Sequence, residues 1–139
     1  MIRIQVINTH SKYRIPKSKI LQIAQCVFKG EGVLNATCNL LFVGDKLIKQ
    51  LNRTYLNRQY ITDVLSFPLH ETGSALEGEV YVNIDQARRQ ATDYTVTYSN
   101  ELARLVIHGI LHLIGYDDRT KYQRAQMLQR EDKYLLLYS

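Results

Sequence analysis

The sequence predicts an α+β fold in one domain, with about four strands in a mixed sheet and about five helices. Two observations predict it. Strand-like and helix-like periodicities interleave as far as residue 84, and from residue 85 onward the pattern is mostly helical. At 139 residues the chain has the length of one ordinary domain, with enough material to bury a core. With 2 prolines, 7 glycines and no repeat or low-complexity tract, nothing divides residues 1–139 into smaller units.

The elements follow in order. Residues 2–7, IRIQVI, alternate apolar and polar side chains with β-branched Ile and Val, the pattern of a strand with one buried face. Pro16 stands where a helix commonly begins. Ile20, Ile23, Ala24, Val27 and Phe28 then recur at helical spacing until Gly30 and Gly32 end the run. Residues 36–43, ATCNLLFV, read as a second strand, and Gly44-Asp45 opens a short amphipathic helix in KLIKQLNRTY. A third strand at 64–69, VLSFPL, and a fourth at 78–84, GEVYVNI, flank a loop containing Gly and Ser. Three helical segments close the chain: DQARRQATDY, ELARLVIHGILHLI and TKYQRAQMLQREDKYLLL.

Composition narrows the class. Hydrophobic residues at 45% and charged residues at 22% are those of a globular protein, not of a disordered chain. A net charge of +5 suits a polyanionic partner, because Lys and Arg facing phosphates gain from counterion release. Cys26 and Cys38 lack a Cys-x-x-Cys spacing and lie in apolar surroundings, so both are expected to be reduced, buried thiols of a cytoplasmic protein. No apolar run approaches the roughly 18 residues of a membrane span, and the N-terminus lacks the apolar core of a signal peptide. No membrane partner is expected.

The chemistry concentrates in HGILHLIGYDD, residues 108–118. The helix that carries it is apolar on most sides, through Leu102, Leu105, Val106, Ile107, Ile110, Leu111, Leu113 and Ile114, which makes it central and buried. Glu101, Arg104, His108 and His112 interrupt that surface along one stripe. A polar stripe on a buried helix is costly unless each group is satisfied. Two imidazoles one turn apart can converge on a single cation. Gly115 can take the left-handed conformation that ends a helix, returning a side chain three residues later as a third ligand. The register is His-x-x-x-His-x-x-Gly-x-x-Asp, which places Asp118 third, with neighbouring Asp117 as the alternative. This is metzincin ligand spacing, and it completes the fold class with a zincin-like metal site on the central helix. Two changes separate the chain from those proteases. Gly109 stands where they carry Glu as general base, and an acid replaces the third His. Carboxylate oxygen is a normal zinc ligand, so the second change is chemically acceptable.

The stretch from His108 to Asp117 resembles the HGxLHLxGYDH signature of the YbeY family of metal-dependent endoribonucleases, the rRNA maturation factors of bacteria. Leu51-Asn52 followed by Thr62-Asp63-Val64-Leu65-Ser66-Phe67-Pro68 resembles the family's LN…PT(D/N)VLSFP segment, and Gly78-Glu79-Val80-Tyr81-Val82 its G-D-I-x-I strand. The blocks keep their order and spread over most of the chain. The family's third ligand is His where this chain has Asp118, and Leu56, Gln59 and Ile61 stand where the family has Arg, Asp and Pro. Arg58 lies two residues from the lost Arg and is the candidate to replace it.

The resemblance implies a hydrolase that cleaves single-stranded RNA, assists maturation of the 3′ end of small-subunit rRNA, and works with the ribosome or its small subunit; DNA is not an expected partner. It also implies one Zn2+ per chain on His108, His112 and Asp118. A zinc with three protein ligands keeps an open position and lowers the pKa of bound water to about 7. Arg58, Asp63, Ser66 and Arg104 are the candidate substrate-binding residues, and with Gly at 109 the general base is unassigned, Asp63 and Glu79 being the acids at hand. Two other classes compete: a non-catalytic ribosome assembly factor whose metal staples the helix end, and a metallopeptidase, which the missing Glu disfavours.

Overall fold

The computed structural model describes residues 1–71 and 73–138. Nine elements run in the order β1 (Ile2–Asn8), α1 (Lys17–Gly30), β2 (Ala36–Val43), α2 (Asp45–Leu56), β3 (Val64–Pro68), β4 (Leu76–Asn83), α3 (Ile84–Asp93), α4 (Tyr98–Ile114) and α5 (Lys121–Leu135). Four strands and five helices in a mixed sheet are what the two periodicities predict, with boundaries displaced by a few residues. The strand order is β1-β2-β4-β3. The first three of these pair in parallel, and β3 closes one edge antiparallel to β4.

Alternation along the strands splits the sheet into two faces. Val6, Cys38, Leu40, Phe42, Val80 and Val82 point to one side and form the main core with α1, α3 and α4. On the other side α2 lays Ile48 and Leu51 over Leu41, Leu65, Phe67 and Tyr81, a smaller cluster that leaves part of the sheet open. Helix α4 is central, as its composition predicts. Leu102, Val106, Ile107, Ile110 and Leu111 are fully buried, and α5 packs against its outer side.

Side-chain caps set the helix starts. Thr97 Oγ1 accepts from Asn100 N at 3.0 Å at the head of α4. Thr120 and Gln123 form a reciprocal capping box at the head of α5. One expectation is corrected: Cys38 is buried, but Cys26 is exposed. The stripe of α1 that faces the core runs through Ile23, Ala24, Val27 and Phe28, and Cys26 falls on the turn's outer side.

Candidate metal centre

Of the polar stripe on α4, only the histidines reach a cleft. Glu101 is buried against α3, where it accepts from Gln90 Nε2 at 2.8 Å, and burial pushes its carboxyl pKa up. Arg104 turns toward α5, with Nη1 2.9 Å from Glu131 Oε1 and Nη2 2.7 Å from Asp132 Oδ1. His108 and His112 present Nε2 atoms 3.1 Å apart, and Asp118 Oδ2 lies 3.4 Å from each. The three side chains are half-buried, and their ligand atoms all lie within 4.8 Å of one another, so the group could hold a metal ion.

The turn that returns Asp118 is built locally. Gly115 has φ 125°, a conformation L side chains rarely adopt. The N–H of Gly115 donates to His112 O at 3.1 Å and that of Tyr116 to Leu111 O at 3.0 Å, the paired bonds of a Schellman ending. Asp117 is committed elsewhere: Oδ1 accepts from Asp118 N at 2.8 Å and Oδ2 from Arg119 Nε at 2.7 Å. The backbone N–H of Asp118 and the Arg119 guanidinium hold the Asp117 carboxyl below the usual carboxylate range. Asp118 is therefore the acid that converges on the histidines.

A second tie anchors this turn. Tyr116 donates through its hydroxyl to Glu31 Oε1 at 2.6 Å, and the other oxygen of that carboxylate takes the Tyr134 hydroxyl and Arg130 Nη1. Glu31 is almost wholly buried, at the end of α1. Its three donors link α1, the Gly115 turn and α5.

The donor set fits a cation. His108 Nδ1 lies 2.7 Å from Glu131 Oε2. An ionised carboxylate only accepts, so His108 donates there from Nδ1 and, when neutral, carries its lone pair on Nε2, facing His112 and Asp118. Two imidazole nitrogens and one carboxylate oxygen suit zinc, and a carboxylate behind a ligating His is the usual support of such sites. Burial favours the neutral imidazole of His108. The hydrogen bond to Glu131 and the charges of Glu131, Asp63 and Asp118 outweigh it and hold its pKa above the ordinary histidine value.

Glu131 is the residue that sequence reasoning missed, since TKYQRAQMLQREDKYLLL reads only as a helical segment rich in charge. Its signal is its place on the inward stripe of α5, four residues after buried Met127 and three before buried Tyr134.

The cleft in front of the three side chains has a volume of about 530 Å³ and is walled by β3 and the end of α4. Arg58, Asp63 and Ser66 line it together with His108, His112 and Asp118; Arg104 and Glu79 are not among the lining residues. Leu56 ends α2, Asn57 takes the left-handed conformation at φ 51°, and the chain then delivers Arg58 to the cleft. Ser66 donates through Oγ to Gly109 O at 2.8 Å, which ties the wall to the helix.

Gly109 faces the sheet. A Cβ there would stand 2.4 Å from Val80 Cγ1 and 3.2 Å from Val64 Cγ2, so no side chain fits without moving α4 off the sheet. The missing general base at 109 thus has a packing reason.

Comparison with known proteins gives the family. The family model described as Endoribonuclease YbeY matches residues 5–139. The Endoribonuclease YbeY of Chloroherpeton thalassium is 38% identical over 130 residues, covering 94% of this chain and 92% of that protein. The one from Chlorobaculum tepidum is 36% identical over 132 residues, 95% of each. The solution structure of TM1509 from Thermotoga maritima superposes with a TM-score of 0.65 at 30% identity, covering 99% of this chain and 89% of that one. The chain belongs to the YbeY family of endoribonucleases.

Proposed function

We propose that this chain is a zinc-dependent endoribonuclease acting on single-stranded RNA, with one Zn2+ held by His108, His112 and Asp118. The observation that carries the reading is the convergence of the two Nε2 atoms, 3.1 Å apart, with Asp118 Oδ2 3.4 Å from both. When bound, the ion supplies Lewis acidity at a phosphoryl oxygen and makes water a competent nucleophile near neutral pH. The protein's own groups do the rest. Arg58 offers its guanidinium to a phosphate in the cleft, and Asp63, a lining carboxylate outside the proposed ligand set, serves as proton acceptor. Ser66, its proton directed to the Gly109 carbonyl, keeps lone pairs for a donor on the substrate. Arg104 acts at one remove by neutralising Glu131 behind His108.

A cavity of about 530 Å³ is the size of a small-ligand site, with room for a splayed-out nucleotide and not for a duplex. Ribosomal RNA as substrate, specifically 3′-end maturation of the small-subunit RNA, rests on the family membership, as do the ribosome as partner and the cytoplasm as compartment. The net charge of +5 suits such a polyanion.

The test is metal content by plasma mass spectrometry on wild type and His112→Ala, run beside cleavage of matched single-stranded and duplex RNAs. About one zinc per chain, lost in the variant, with cleavage of the single strand alone, is the expected result. No bound metal, or equal metal in both proteins, overturns it.

The competing reading, a metal that only staples the helix end, is disfavoured by the Tyr116–Glu31 bond. That bond already holds the Gly115 turn against α1, so metal removal is expected to abolish cleavage and leave the fold standing.

A further inference from the structure

The face of the sheet away from the metal centre carries a feature the cleft chemistry does not use. Tyr55, at the end of α2, meets Phe67 of β3 edge to face at 5.7 Å, and Phe67 meets Tyr81 of β4 in the same way at 5.7 Å. These rings, with Pro68, Leu69 and Glu79, surround a second cavity of about 290 Å³. Tyr55 is 67% exposed and Leu69 56% exposed, so the mouth of this cavity is apolar and open to solvent. The Tyr81 hydroxyl donates to Glu79 Oε1 at 3.2 Å, which leaves the second oxygen of that carboxylate available to a ligand.

Two observations identify the occupant. Pro68 lines both cavities, so a strand leaving the metal cleft along β3 passes directly onto the aromatic group. The alternation of β3 makes that passage short, since Ser66 faces the cleft and Phe67, the next residue, faces the rings. The chemistry of the lining is the second observation. No Lys or Arg is among the described residues that line the cavity, and its charged group is the Glu79 carboxylate, so a phosphate is repelled. A flat, neutral heterocycle with an exocyclic amino group fits: rings to stack against and an acceptor at the edge.

We propose that Tyr55, Phe67 and Tyr81 form a stacking subsite for one nucleobase of the RNA strand that occupies the metal cleft. Glu79 selects bases that present an exocyclic amino group. This rests on the reading of the cleft as an RNA site. Adenine and cytosine offer the amino donor that Glu79 accepts, whereas uracil offers a carbonyl in its place and brings it against a carboxylate. The subsite therefore ranks oligoadenylate and oligocytidylate above oligouridylate.

The experiment is fluorescence anisotropy with short labelled oligo(A), oligo(C), oligo(U) and an abasic oligonucleotide of equal length, using the zinc-loaded full chain. Tyr55→Ala removes an exposed ring and Glu79→Gln keeps the volume of its side chain, and metal content and circular dichroism establish that both variants fold. Tyr55→Ala is expected to weaken oligo(A) binding roughly tenfold or more, the scale of losing one stacked base, and to leave abasic binding unchanged. Glu79→Gln is expected to narrow the preference for oligo(A) and oligo(C) over oligo(U). Wild-type affinity for oligo(A) in Tyr55→Ala, or a base preference that Glu79→Gln does not move, overturns the subsite while the nuclease reading stands; a patch that serves a protein partner gives that result. Failure of the wild type to bind or cleave any RNA overturns both.

Discussion

Glu131 accepts a hydrogen bond from His108 across 2.7 Å, reaching from a different helix 23 residues further along the chain. The contact fixes the tautomer of the imidazole and the plane of its ring. Glu131 is itself buried and bonds to Arg104 at 2.9 Å. A charge so placed is tolerated because both neighbours bond to it. Glu131→Gln keeps the volume but removes the charge that favours an Nδ1–H on His108. Zinc affinity is expected to fall by roughly 10- to 100-fold, the scale found for supporting carboxylates. Competition with a chromophoric chelator measures it, and unchanged affinity would mean that Glu131 only braces α5.

Gly109 gives a packing prediction. A methyl group there would sit 2.4 Å from Val80 Cγ1, in a sheet whose strands are locked on both sides. Gly109→Ala should destabilise the fold by about 1–3 kcal/mol, the range for overpacked cores, against the small gain expected of Ala over Gly in a free helix. Urea denaturation decides between the two signs. Gly109→Glu, which restores a metzincin-like spacing, should unfold the protein more severely and confer no peptidase activity, since its side chain would begin against Val80, Val64 and Ser66 with no room to extend.

The sequence revealed whatever is encoded within a few residues. His108, His112 and Gly115 are set by one helix end, and their spacing narrows the third ligand to Asp117 or Asp118, of which the structure brings Asp118 to the histidines. The strand segments were legible for the same reason: in β2, Ala36, Cys38 and Leu40 alternate inward. What required the structure is what two distant segments do to each other. Arg104 shares its helix stripe with the histidines, and only the arrival of Glu131 and Asp132 from α5 turns it away from the cleft. Helix α5 is polar over most of its surface, and its inward stripe of Met127, Glu131 and Tyr134 contains a charge, so periodicity does not distinguish Glu131 from its solvated neighbours. Glu31 is equally invisible, because its donors Tyr116, Arg130 and Tyr134 all lie far along the chain.

Glu31 ties part of the fold's stability to pH. Burial alone would raise its pKa, but the hydroxyls of Tyr116 and Tyr134, then the charges of Arg130 and Lys133, outweigh that and hold it below its ordinary 4.5. A carboxylate whose folded pKa is depressed stabilises the protein above its unfolded pKa, and the contribution disappears as pH falls through the folded value. Glu31→Gln should therefore cost about 1.5–3 kcal/mol near neutral pH, the scale of hydrogen bonds to a charged group. The gap between variant and wild type should close progressively below about pH 4.5. Urea titrations at pH 7 and across the acid limb test it, and a gap that is constant with pH would rule out the ionised form as the cause.

Asp117 and Asp118 are adjacent, equally acidic by type and indistinguishable by spacing to within one residue, yet the turn assigns them opposite work. Asp117 spends one oxygen on the N–H of Asp118 and the other on Arg119, so it shapes the turn. Asp118 sends Oδ2 to within 3.4 Å of both imidazoles. Asp118→Asn replaces a charged oxygen donor by a weaker neutral one in the same place, and zinc binding should fall by an order of magnitude or more with the fold intact. Asp117→Asn keeps an oxygen for the Asp118 N–H and loses the ion pair to an exposed Arg119, a contact of the kind worth at most about 1 kcal/mol. Its zinc content should match wild type. Asp118→His should retain the metal, because an imidazole offers a ligand of comparable reach. If Asp117→Asn loses the ion and Asp118→Asn keeps it, the turn must rearrange on loading and the third ligand moves one residue back.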